Sequence, residues 1–141
     1  MRFVDSNVFI HAFSIPRRPL TEKEVLVKNE AKKIVRRIEE GENVALTIIH
    51  LSEVLNILEA RLNLQRALGF LSWIISSENV KVYPVSIEDY EKSMLLAKEK
   101  NVSINDALLA LLMKKYGTLE VYSFDRHFDK LENITKLPEI D

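Results

Sequence analysis

Short apolar strands alternate with helical stretches along the whole chain, and this alternation limits the fold more than any other feature. Residues 2–5 read as a short buried strand, 43–46 as a second, 80–83 as a third, 119–124 as a fourth, and 133–135 as a short last one. The strands are apolar with little polar alternation, which fits a sheet covered on both faces. Strands interleaved with helices predict an α/β fold: a three-layer α/β/α sandwich around a mostly parallel sheet of four to five short strands.

The helices carry their own punctuation. Thr21-Glu22-Lys23-Glu24 has the form of a capping box and opens a long helix, whose apolar face is Val27, Ala31, Ile34, Val35 and Ile38. Gly41 ends it. Thr47 is placed to cap a helix running to about Leu62, with the stripe Leu51, Val54, Leu55, Leu58 and Leu62; residues 64–77 form the next. Ser86 to Asp89 and Ser103 to Asp106 repeat the box and open helices to about Lys100 and Tyr116. Residues 7–13 leave room for one or two turns before Pro16 and Pro19.

At 141 residues the chain suits a single domain, 1–141, with a real core. Three Gly and four Pro leave no long flexible linker. The longest apolar run, Ala107 to Met113, is far short of a membrane span, and Asp5 interrupts the only apolar stretch at the start, against a signal peptide. Absence of cysteine excludes disulfides, thiolate catalysis and Cys-based zinc sites, and fits a cytoplasmic protein. His11, His50 and His127 are scattered without zinc-ligand spacing and read as surface or helix-flank residues. A net charge of −1 gives no overall attraction to nucleic acid. Lys32-Lys33, Arg36-Arg37 and Arg17-Arg18 are locally basic, read as a solvated helix face or as a phosphate-contacting patch.

Four acids stand against this apolar framework. Asp5 and Asp125 close strands, and in parallel sheets the ligand crevice lies beyond the strands' carboxyl ends. Glu53 sits on the flank of an apolar helical stripe, within reach of Arg61 two turns on. Asp106 takes the last place of a capping box on a helix apolar nearly all round, so its first turn opens into a crevice. Each has a plain structural reading: a turn for Asp5, a half-exposed helix acid for Glu53, a cap for Asp106, a turn paired with Arg126 for Asp125. Together they are costly beside a core unless a cation is held there. Hard divalent cations such as Mg²⁺ and Mn²⁺ take oxygen ligands and activate water for phosphoryl chemistry. Asp129, four residues on, is a weak further candidate.

Asp5-Ser6-Asn7 after the first strand, Ser52-Glu53-Val54 in a helix, Asn105-Asp106-Ala107 opening a later helix and Ser123-Phe124-Asp125 after the fourth strand together resemble the PIN-domain family. The order of elements matches over essentially the whole chain. The resemblance implies a Mg²⁺- or Mn²⁺-dependent ribonuclease that cuts a phosphodiester with activated water, leaving a 5′-phosphate and a 3′-hydroxyl. It places the metal-binding quartet on Asp5, Glu53, Asp106 and Asp125, and ligand- or substrate-orienting roles on Asn7 and Ser123. A compact chain of this kind is similar to the VapC toxins, which implies an RNA substrate, a homodimer and a small antitoxin partner. Two rival readings are a PIN-like module without catalysis and an RNA-processing nuclease that is not a toxin. A phosphatase-like α/β protein would carry a second Asp two residues after Asp5, where this chain has Asn7.

Overall fold

The computed structural model describes residues 1–140. Its elements run β1 (Arg2–Val4), α1 (Ser6–Phe13), α2 (Glu22–Glu39), β2 (Val44–Thr47), α3 (Ile48–Arg61), α4 (Leu64–Ser76), β3 (Val80–Tyr83), α5 (Ile87–Lys100), α6 (Ile104–Lys115), β4 (Glu120–Tyr122) and β5 (Thr135–Leu137). A short 3₁₀ turn, Arg126–Lys130, lies between the last two strands. The five strands form one sheet in the order β3-β2-β1-β4-β5, every pair parallel. The α/β sandwich expected from the sequence is therefore present. Boundaries differ at the ends: β1 stops before Asp5, β4 is shorter than 119–124, and β5 begins where 133–135 was expected to finish.

Alternate residues of the strands feed two cores, as the pleat requires. Val4, Val44, Leu46 and Tyr122 pack with α1 to α4 around Phe9, Ile34, Ile38, Phe70 and Ile74. Phe3, Ala45 and Val121 face the other way, against Leu109, Leu112 and Met113 of α6 and against Phe128 and Leu131. This explains why the strands show so little polar alternation. The α6 helix is buried along nearly its whole length, as its composition predicts.

Local chemistry ends the helices where the sequence says it should. The Thr21 and Ser86 boxes are complete, with side chain and backbone bonded reciprocally. Gly117 follows α6 at φ +73, a conformation that costs glycine little. Asn101 takes the left-handed position after α5, an Asn role that goes beyond the glycine stops read in the sequence.

The sheet order places the site. The chain builds β1, β2 and β3 outward in one direction, then returns to add β4 on the other side of β1. The strand order reverses between β1 and β4, and such a switch point opens a crevice at the carboxyl edge. Asp5 N donates to Tyr122 O at 2.9 Å, so Asp5 and the start of the β4 exit loop sit on neighbouring rungs.

Leu109 is fully buried between sheet and helix. Leu109→Ala is expected to destabilise the protein by about 2–5 kcal/mol in urea unfolding, with its m-value unchanged.

Candidate metal centre

Each acid reaches the carboxyl edge on a different element: Asp5 from the end of β1, Glu53 from the second turn of α3, Asp106 from the first turn of α6, Asp125 from the loop after β4. Asp5 and Asp106 are buried, 3% and 5% exposed, while Glu53 and Asp125 are half-buried. Among the described residues none of the four lies within ion-pair distance of a lysine or arginine.

Hydroxyls and amides hold the carboxylates instead. Ser123 is fully buried. Its Oγ donates to Asp5 Oδ2 at 2.7 Å and accepts from Asp125 N at 3.0 Å, joining two of the acids. Ser6 N donates to Asp5 Oδ1 at 2.8 Å, and the Ser6 hydroxyl lies 3.2 Å from Glu53 Oε2 and 3.4 Å from Asp5 Oδ1. Asn105 Nδ2 donates to Glu53 Oε1 at 2.9 Å, while Tyr90 OH donates to Asn105 Oδ1 at 3.0 Å. A continuous chain of donors thus runs from α5 to the β4 loop. Asn7 Oδ1 accepts from Phe124 N at 3.3 Å and ties α1 to that same loop.

The charges are under strain. Burial first, then the nearby Asp125 and Glu53 carboxylates, push Asp5 up to about 6, against the bonds from Ser123 and Ser6. Burial first, then the adjoining Asp125 carboxyl, raise Asp106 to about 7, opposed by His127 and Ser103. Carboxyls tuned this way are typical of functional sites.

Several sequence readings need correction. His50 is not a flank residue: it is 1% exposed on α3. Its Nδ1 is 2.7 Å from Thr47 Oγ1, and its Nε2, buried without a hydrogen-bond partner, points at Asp5 Oδ1 from 3.7 Å. Burial holds the His50 imidazole below its ordinary pKa. His127 is partly exposed, but it is turned to the acids. Its Nδ1 lies 2.7 Å from Asp106 Oδ2 and 3.5 Å from Asp125 Oδ1, and ligand atoms of these three residues fall within 4.8 Å of one another. The Ser103 box is only half made: Ser103 Oγ accepts from Asp106 N, but the Asp106 carboxylate is turned to His127. Neither Glu53 with Arg61 nor Asp125 with Arg126 forms an ion pair among the described residues. Asp129 is exposed and paired with Lys136 at 3.1 Å, outside the hydrogen bonds that join the quartet. Ser6, Tyr90, Asn105, His50 and His127 are therefore site residues that the sequence reading passed over. Ser6 and Asn105 stood inside quoted motifs. For Tyr90 no sequence signal exists.

The donor set fits a hard divalent cation. Four carboxylates stand at this edge, ligand atoms of Asp106, Asp125 and His127 already lie within 4.8 Å of one another, and the unpartnered Nε2 of His50 points at Asp5. Asp5, Glu53, Asp106 and Asp125 are the residues that could hold such an ion, with His127 beside them.

The PIN domain sequence profile matches residues 2–134. The chain belongs to the PIN-domain family. No curated protein matches it. Among solved structures, the VapC20 toxin of Mycobacterium tuberculosis, described as cleaving the sarcin–ricin loop, aligns over 92% of this chain and 93% of its own, with TM-score 0.69 and 21% identity. A toxin–antitoxin complex from Klebsiella pneumoniae aligns over 99% and 100%, with TM-score 0.68 and 20% identity. VapBC2 of Rickettsia felis, bound to a promoter DNA fragment, aligns over 96% of each chain, with TM-score 0.63 and 14% identity. The PIN fold of this chain is thus the fold of VapC structures. Among the described residues no helix is long and apolar enough to cross a membrane.

The raised carboxyls set a pH dependence for the metal-free protein. Asp5 and Asp106 titrate at about 6 and 7 in the fold against an ordinary 3.8, so the folded state binds more protons between those values. Stability therefore falls as pH rises from about 4 to 7 through these two groups. Asp5→Asn is expected to raise the melting temperature of metal-free protein at pH 8 and to flatten this fall. An unchanged pH profile would contradict the electrostatic reading.

Proposed function

We propose that this PIN-domain protein is a divalent-metal-dependent endoribonuclease and the toxin of a toxin–antitoxin pair. One observation carries the reading. Four acids from four separate elements stand at the switch point of the sheet, two of them buried, with no lysine or arginine paired to them among the described residues. Asp5, Glu53, Asp106 and Asp125 would hold Mg²⁺ or Mn²⁺. When bound there, such an ion would supply an acidified water and a positive charge for the phosphoryl oxygens.

The chain's own groups do the positioning. Ser123 and Ser6 fix both oxygens of Asp5, and Ser6 together with Asn105 fixes Glu53. Ser123 also accepts from the Asp125 backbone, so one hydroxyl sets the spacing of two ligands. Such fixed donors keep the geometry from relaxing during the reaction.

RNA as substrate is supported by the likeness to the M. tuberculosis VapC20 toxin, described as cleaving the sarcin–ricin loop. A small antitoxin partner is supported by the K. pneumoniae complex. A homodimer is supported by apolar residues left open on α4 and α5: Leu64, Leu68 and Ile75 on one, Met94 and Leu95 on the other, each at least half exposed. Domain extent 1–141 and a cytoplasmic setting belong to the same proposal.

Two measurements test this. Asp5→Asn is expected to abolish Mg²⁺- or Mn²⁺-dependent RNA cleavage in a protein that still folds; full activity in that variant would remove the claim. Sedimentation at micromolar concentration is expected to give a dimer, and a monomer would refute that part alone.

A further inference from the structure

The chain's net charge of −1 conceals a basic cleft beside the acidic site. Two adjoining hollows of about 450 and 400 Å³ lie between the α1–α2 connection and the end of α3, sharing Ser14, Pro16, Leu20 and Arg61. Arg17 lines the first, and Lys23, Lys28, His11 and Phe124 line the second. A smaller hollow shares Lys23 and Phe124 with the second and is lined by Ser123, whose hydroxyl bonds to Asp5.

The cations here are unequal. Arg18 is held by Glu24 at 2.8 Å, and Lys28 Nζ is spent on the carbonyls of His11 and Ser14. Arg17, Lys23 and Arg61 are exposed and make no ion pair or hydrogen bond among the described residues. The lining is therefore net positive with free donors. His11 reports that field: burial first, then Lys28 and Arg61, hold its imidazole below its ordinary pKa. Two others of the basic run are engaged elsewhere. Lys33 pairs with Glu30, and Arg37 reaches toward Tyr122, whose other partners, Arg2 and Glu42, mark the opposite edge of the sheet.

The placement is fixed relative to the carboxylates. Phe124 precedes Asp125 in the chain, and its N–H is held by Asn7. His11 stands one turn beyond Asn7 on α1 and meets the Phe124 ring edge-on, centroids 5.7 Å apart. Arg61 lies two turns beyond Glu53 on α3, about 12 Å along the helix axis. That offset is too large for the phosphate being cut and suits one farther along the strand.

We infer that this cleft binds the sugar–phosphate backbone of single-stranded RNA on one side of the scissile bond, with Arg17, Lys23 and Arg61 on phosphates and His11 with Phe124 against a base. Free cations tracking a backbone, interleaved with aromatic rings, are the chemistry that recognises single strands. The inference rests on the ribonuclease reading and names where its substrate lies.

The test uses full-length Asp5→Asn protein, which keeps RNA uncut, and a fluorescent oligoribonucleotide titrated across a salt series. On single strands each phosphate contact contributes a slope of about 0.7 in log K against log salt. Arg17→Ala/Arg61→Ala is expected to lower the slope by about 1.4, the loss of two contacts. Arg17→Lys/Arg61→Lys should restore it, since phosphate accepts either charge. In the cleavage-competent background the alanine pair should act on KM rather than kcat, with the Mn²⁺-induced rise in melting temperature retained. A cutting wild type whose alanine pair keeps its slope and KM overturns the cleft assignment alone. A wild type that neither binds nor cuts RNA overturns the ribonuclease reading and the cleft with it. Loss of poly-glutamate binding in the alanine pair, with the RNA slope unchanged, would assign the cleft to an acidic protein segment and overturn the RNA proposal.

Discussion

The parallel pairing of β1 with β4 is the contact on which the site depends. A chain that added its fourth strand outside β3 would keep the same helices and the same cores in outline. It would also carry Asp5 and Asp125 to distant rungs. Because β4 returns to lie against β1, Asp5 N bonds to Tyr122 O, and Ser123 arrives within 2.7 Å of Asp5 Oδ2. Its buried hydroxyl then couples the two strand ends, and α6 and α3 bring Asp106 and Glu53 to the same edge. The apolar strand faces supply the stability that makes this arrangement tolerable. Large buried side chains on both sides offset the cost of holding carboxyls at the rim of the core.

The electrostatics follow from that geometry. Asp5 is buried with two acids near it, and its partners are hydroxyl and amide donors rather than cations. Such donors orient a carboxylate without neutralising it, so the edge retains its appetite for a positive ion. The basic residues are spent elsewhere. Arg18 and Lys33 are tied to acids on α2, while Arg17, Lys23 and Arg61, which pair with no acid among the described residues, stand along the cleft. A chain of nearly balanced charge is thus divided into an acidic centre and a basic approach.

Much of this was legible in the sequence because it is local. Strand and helix alternation, the Thr21 and Ser86 boxes and the buried face of α6 depend on residues within a turn or two of each other. The quartet was legible through motif order and its placement on strand ends and helix starts. What escaped depends on contacts across the chain. His127 read as a surface or helix-flank residue, and nothing local discloses that its ring meets the Asp106 carboxylate, which would otherwise complete a third capping box. His50 looked like a helix flank because its neighbours in sequence do not reveal that Asp5 lies opposite. Tyr90 reaches the site only through Asn105, and spacing cannot disclose a relay of that kind. Arg61 was misassigned for the converse reason: Glu53, eight residues away on the same helix, is taken by Asn105 and Ser6 from other elements.

The central claim is that these four acids are gathered to hold a divalent cation. The most direct measurement is anomalous diffraction from crystals of the protein soaked in Mn²⁺. The account predicts a manganese peak between Asp5, Glu53, Asp106 and Asp125, within coordination distance of at least two of their carboxylates. Ordered protein with no peak at that edge, under Mn²⁺ concentrations that support cleavage, would contradict it.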